Sequence, residues 1–112
     1  MTRATLKKRP QKGATFAEIA IDARQFFAER GIALATLGRP TAAEDSFRQA
    51  IALQPDYADA HYNLGKVLKA QGRPEDAIAS YDQAILLRPD HAEAHGNRGN
   101  ALKDLKRPEE AL

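Results

Sequence analysis

Cysteine is absent from these 112 residues, which excludes a disulfide framework, a thiolate-bound zinc and a cysteine nucleophile. Aromatic residues make up only 6% of the chain, so a core has to be built mainly from Ala, Leu and Ile. That composition suits closely packed helices better than a β-sandwich. No apolar run approaches the roughly 20 residues of a membrane span, and none resembles the h-region of a secretory leader. The expectation is a soluble, cytoplasmic protein with no membrane partner. What is present is a hydrophobic content of 43%, enough for one small domain or a piece of a larger one. The net charge of +2 hides an uneven distribution. Arg3, Lys7, Lys8, Arg9 and Lys12 form a basic stretch without an acid, while the rest of the chain carries more acids than bases. Residues 1–14 are expected to be a disordered, solvated tail. The tail has no interleaved aromatics and no amphipathic stripe, and the body is net acidic, so nucleic acid is not the expected partner.

The body repeats itself. The dipeptide Arg39-Pro40 returns as Arg73-Pro74 and Arg107-Pro108, and Gly31, Gly65 and Gly99 keep the same spacing of 34. Leu34, Leu68 and Leu102 follow, as do Ala43, Ala77 and Ala111. Laying 24–57 on 58–91 gives 13 identities in 34 positions, where average composition gives about two by chance. Each unit reads as two helices. Ala60, Leu64, Val67 and Leu68 fall on one helical face; Gly72 then supplies a stop and Pro74 a new start. The second helix places Ala77, Ile78, Tyr81, Ala84, Ile85 and Leu87 inward, and Pro89-Asp90 ends the unit. Thr15 reads as the N-cap of a helix from Phe16, whose Ile19, Ala23, Phe26 and Phe27 lead into the first unit. Gly65, costly inside a helix, implies a close helix crossing, expected against the small residues Ala77 and Ala84.

These residues resemble the tetratricopeptide repeat family, which has this period and helix–turn–helix unit. The matching residues are Leu64-Gly65, Leu68, Gly72, Ala77, Tyr81, Ala84 and Pro89. The resemblance implies an all-α, right-handed solenoid of antiparallel helix pairs, about two and a half repeats long, with units 24–57, 58–91 and a truncated 92–112. His61 and His95 stand where the family often has an aromatic, and are expected to pack between helices. Arg30 and Arg98 depart from the pattern where Leu64 keeps it, and are expected to lay their stems on apolar surface. Leu112 falls just inside a second helix, without the polar capping helix that usually ends such arrays. The array is either cut from a longer protein, the favoured reading, or pairs through its open C-terminal face with another copy.

In that family the first helices of successive units line a concave groove for a partner peptide. Carried over by alignment, the groove positions are Asp59, Tyr62, Asn63, Lys66 and Lys69 in the middle unit, and Glu93, Asn97, Asn100 and Lys103 in the third. An Asn amide carries two donors and an acceptor, so Asn63 and Asn97 suit a ladder that brackets a peptide backbone. The Ala-His-x-Asn pattern at 60–63 and 94–97 is similar to the repeat superhelix of O-GlcNAc transferases, although Glu29 breaks it in the first unit. A clamp for a C-terminal carboxylate is not expected, because the corresponding places hold Ala28, Ile32, Asn63, Glu93 and Asn97. Chemistry is not expected either. His91 and His95 lie four apart but have no third ligand at suitable spacing, so neither a metal nor a cofactor is expected. Ser46 and Ser80 have no activating His. The acid pairs Glu44-Asp45, Glu75-Asp76 and Glu109-Glu110 open second helices and read as dipole partners. The implied role is protein or peptide binding; the alternative is the repeat segment of a longer O-GlcNAc-type glycosyltransferase.

Overall fold

A computed structural model describes residues 15–105, with the side chains of 16–22 left aside; the basic tail and the second helix of the third unit lie outside the described residues. Five helices follow one another among them: α1 (Phe16–Thr36), α2 (Pro40–Leu53), α3 (Ala58–Ala70), α4 (Pro74–Leu87) and α5 (Ala92–Asp104). They form an all-α tetratricopeptide-like solenoid in which α1 pairs with α2 and α3 with α4, α5 opening the third unit.

The repeated Gly-Arg-Pro sets each turn. Gly38 and Gly72 sit at φ 76° and 75°, where a Cβ is strained. Gly72 N–H donates to the Lys69 carbonyl and Arg73 N–H to that of Leu68, at 2.9 and 3.0 Å; Gly38 and Arg39 do the same to Ala35 and Leu34. These bonds close the helix end as a Schellman motif. Pro40 and Pro74 then begin α2 and α4 at the position where a missing N–H costs nothing.

Within each unit the pairing depends on a ring. Phe47 of α2 and Tyr81 of α4 are fully buried, 34 residues apart. A Cβ on Gly31 would lie 2.5 Å from the Phe47 ring, and one on Gly65 would lie 2.5 Å from the Tyr81 ring. The close crossing expected at Gly65 is therefore made against an aromatic ring, and Ala77 and Ala84 are not the residues that demand it. Leu64, Val67 and Leu68 complete the core around the two rings.

Between units the contacts are asymmetric. The first helices touch one another, α1 on α3 and α3 on α5, whereas α2 and α4 do not meet. The main seats between units are α2 on α3 and α4 on α5, so each second helix lies between successive first helices, and α1, α3 and α5 share one side of the array. One polar bridge crosses the first interval from the outer layer. Glu44 of α2 accepts from Gln71 Nε2 at 3.1 Å and Arg73 Nη1 at 3.2 Å, and from Arg48 Nε at 2.9 Å. Burial pushes the Glu44 carboxyl up, but the bonds from Gln71 and Arg48 and the charges of Arg48 and Arg73 outweigh it and hold the group below its ordinary value. Glu44-Asp45 therefore departs from the expected dipole role, which Glu75 and Asp76 keep in the first turn of α4.

Three further groups make contacts that the repeat pattern does not specify. His61, half-buried, and His95, exposed, each donate from Nε2 to a turn carbonyl, Pro55 at 2.9 Å and Pro89 at 2.8 Å. Arg30 and Arg98 are held by polar partners, Ser46 Oγ at 2.8 Å and Asp82 Oδ1 at 2.6 Å. Of the leading apolar residues, Phe27 packs against the Ala28–Ala50–Ala60 cluster while Phe26 stays 59% exposed.

Two measurements check this account. Gly65→Ala is expected to lower stability by about 1–2 kcal/mol despite the better helix former, because the Tyr81 ring has to move. Gly96, with nothing within 4 Å of its Cβ position, gives the opposite sign: Gly96→Ala should raise stability by about 0.5–1 kcal/mol. Urea midpoints read both. Glu44 should add stability at neutral pH that is present above the unfolded carboxyl pKa and lost as pH falls through the lower folded one. Glu44→Gln is expected to cost about 1 kcal/mol at pH 7 and to flatten the acid limb of the stability profile.

Candidate functional site

The side formed by the first helices carries a groove of about 530 Å³, inside the range of roughly 300–1,000 Å³ usual for ligand clefts. Ala28 and Ala60, both buried, form its floor, and Ile32, Tyr57, Tyr62 and Asn63 stand around it. A small depression with Ile32, Asn63 and Lys66 continues it. Another follows, where Lys66, Lys69 and Asn97 surround the edge of Tyr81. Asp59, Tyr62, Asn63 and Glu93 thus line the main groove, and Lys66, Lys69 and Asn97 its extension. Asn100 and Lys103 lie on the exposed side of α5 and line none of these depressions.

Tyr62 organises the second interval. Its ring lies against the His91 imidazole with centroids 4.7 Å apart and is 6.1 Å from Tyr81. Its hydroxyl accepts from Asn97 Nδ2 at 3.1 Å, and Lys66 Nζ sits 5.4 Å over the ring, an attraction between a cation and a π face. Burial and the nearby charge of Glu93 raise the Tyr62 pKa, opposed only in part by the Asn97 bond, so the phenol keeps its proton as a donor.

His91 is the groove residue that the sequence reading missed. It caps α5: Nδ1 accepts from Ala94 N–H at 3.3 Å, which puts the ring proton of the neutral imidazole on Nε2, 3.8 Å from Asp59 Oδ1. Asp59 is itself paired with Arg88 at 3.0 Å. The signal was its place three residues before Ala94, where a side-chain acceptor caps a helix. No cluster of three or more metal-ligating side chains occurs among the described residues, and none of the described helices is long and apolar enough to cross a membrane.

The two asparagines of the expected ladder are not equivalent. Asn97 has its amide on Tyr62. Asn63, one repeat earlier, finds Ala28 where Asn97 finds Tyr62, and makes no side-chain hydrogen bond among the described residues. It is half-buried in the main groove, as is Gln54, which also makes no side-chain hydrogen bond among the described residues. Charge is sorted along the helices. Asp59 and Glu93 stand in the first turns of α3 and α5, and Lys69 and Lys103 in their last turns, each sign complementing the helix dipole; Glu29 lies in the second half of α1. Lys69 is 3.6 Å from Asp104; Glu29, Glu93 and Lys66 make no ion pair among the described residues.

Comparison with known proteins agrees with this fold. The tetratricopeptide repeat family matches residues 28–84, and a second description of it, TPR repeat, matches 65–106. No curated protein matches the chain. Among solved structures, MamA is 31% identical over 80% of this chain and 52% of its own, with a TM-score of 0.78. YrrB, described as a TPR protein with an unusual peptide-binding site, is 25% identical over 80% of this chain and 46% of its own, TM-score 0.75. The second TPR of Spaghetti (RPAP3), bound to the HSP90 peptide SRMEEVD, covers 84% of this chain and 89% of its own with a TM-score of 0.79. At 24% identity that last likeness is one of fold alone. The chain spans about half the length of the MamA structure it matches.

Proposed function

The chain belongs to the tetratricopeptide repeat family, and on that premise we propose that it is a non-catalytic interaction module holding an extended peptide segment of a partner protein in the groove of α1, α3 and α5. The observation that carries the reading is Asn63: an amide with two donors and an acceptor, half-buried in a cleft and without a partner among the described residues. An extended backbone offers the alternating carbonyls and N–H groups that such an amide satisfies. Ile32, 49% exposed at the same cleft, supplies apolar area beside it. Two proteins of like fold have a bound peptide or a peptide-binding site in their descriptions, which supports a peptide as the occupant here.

The eight residues named from the sequence take graded roles in this proposal. Asn63 and Lys66 make direct contacts. Asp59 and Tyr62 shape the wall, Lys69 and Asn97 extend it, and Asn100 and Lys103 contribute only long-range charge. The reading of the repeats as the substrate-holding part of a longer O-GlcNAc-type enzyme rests on the asparagines at 63 and 97, which the groove treats differently. The same peptide-holding role serves whether or not a catalytic domain accompanies the repeats.

Peptides selected from a random display library against the purified chain test the proposal. Asn63→Ala is expected to weaken them by about three- to tenfold, the worth of one hydrogen bond, while Gln83→Ala on the outer face leaves affinity unchanged; the reverse pattern would overturn the reading. A second expectation concerns SRMEEVD, the peptide bound to Spaghetti. With Ala28, Ile32 and Glu93 at the clamp positions, titration of this chain with SRMEEVD should show no saturable binding in the micromolar range.

A further inference from the structure

The two intervals between first helices are built on one plan, and one of them is missing a side chain. In the second interval Tyr62 leans on His91 and receives a hydrogen bond from Asn97. Stepping back by the repeat of 34, the corresponding residues of the first interval are Ala28, Tyr57 and Asn63. The stacking surface is there, since Tyr57 replaces His91 at the N-cap of its helix. The amide is there, since Asn63 replaces Asn97. The ring between them is absent, because position 28 is Ala. All three of these residues line the groove of about 530 Å³.

We propose that this vacancy is a receptor for a tyrosine side chain of the partner, which stacks on Tyr57 and accepts a hydrogen bond from Asn63 as Tyr62 does from Asn97. The inference rests on the reading of this face as a peptide groove and names the residue it selects. Tyrosine fits the chemistry on both counts: its ring buries its own apolar area against Tyr57 and Ile32, and its hydroxyl meets Asn63, an amide of the groove without a side-chain hydrogen bond among the described residues. Phenylalanine fills the same space but leaves Asn63 unsatisfied. The three tyrosines of these 112 residues, Tyr57, Tyr62 and Tyr81, are all built into the array. Charge adds a flank. Glu29, Glu93 and Arg24 line the groove without an ion pair among the described residues, so the unpaired charge is negative by one and a basic residue beside the tyrosine is favoured over an acidic one.

The test uses N-acetyltyrosinamide and N-acetylphenylalaninamide as probes, titrated into the full chain and followed through the methyl resonances of Ala28 and Ala60. The tyrosine probe should shift both methyls and bind about three- to tenfold more tightly than the phenylalanine probe, and Asn63→Ala should erase that preference. Ala28→Tyr, which fills the vacancy from within, should abolish binding without lowering the thermal midpoint. Should that variant fail to fold, the Asn63→Ala comparison still decides. Equal affinity for the two probes, a preference that survives Asn63→Ala, or no methyl shift at millimolar probe would each overturn the proposal. Acetyl-Lys-Tyr-amide should bind more tightly than acetyl-Glu-Tyr-amide, with a gap that closes as salt is added; the reverse order would overturn the charge argument. Display peptides that lose binding with Asn63→Ala yet share no tyrosine would sink this inference and leave the peptide-groove reading standing.

Discussion

A ring laid on a bare stretch of backbone holds each unit together. Phe47 and Tyr81 lie over Gly31 and Gly65 so closely that a single methyl group would collide with them. Short helices of this length are marginal alone, and their apolar faces are mostly alanine. Without the rings the pairs would have little large apolar area to bury; without the glycines the rings would hold the helices apart. The remaining packing, with Leu64, Val67 and Leu68 around the rings, presupposes that approach. So does the groove, because the rings position the first helices whose far sides form it. Tyr81 belongs to both: burial, with a smaller contribution from Tyr62, lifts its hydroxyl to about 12, while its edge opens onto the groove's extension.

The repeat is a template, and the molecule's individuality lies in its departures. Glu44 occupies the position of Ile78 one unit on, and only Glu44 bridges to the next unit's turn. Tyr62 occupies the position of Ala28, so the second interval is filled and the first is hollow. Gln25 and Gln54 stand where Asp59 and Arg88 form an ion pair. The first two departures change an interface between units, the third exchanges an ion pair at the rim of one unit for two amides in the other, and the ring-on-glycine packing of both units is kept. Stability and recognition are thereby assigned to different positions of one 34-residue plan.

Much of this fold was legible from spacing alone. The period of 34 located every helix, and Gly72 with Pro74 marked a boundary that the φ of 75° and the turn bonds explain. What spacing could not convey was the partner at each position. Gly65 was recognisable as a close crossing, but a ring rather than Ala77 and Ala84 makes it, because periodicity orders residues along a helix and says nothing about which neighbour reaches across. His61 and His95 were placed as fillers by family analogy, which does not convey that an imidazole N–H seeks a carbonyl, and the turn prolines offer one. Of the eight residues named from the sequence, six line the cleft or its extension. The inequality of Asn63 and Asn97 was not legible, since it depends on what the preceding unit presents to each.

The way the units are joined gives the array a mechanical character. Each second helix is seated against the first helix of the next unit, α2 on α3 and α4 on α5, and the first helices touch one another as well. Every interval is held from two sides, so a tilt of one pair has to move the next with it. The Glu44 bridge ties the first interval, and Arg98 on Asp82 with Asn97 on Tyr62 ties the second. An occupant spanning both intervals meets one continuous wall, hollow at Ala28 and filled at Tyr62.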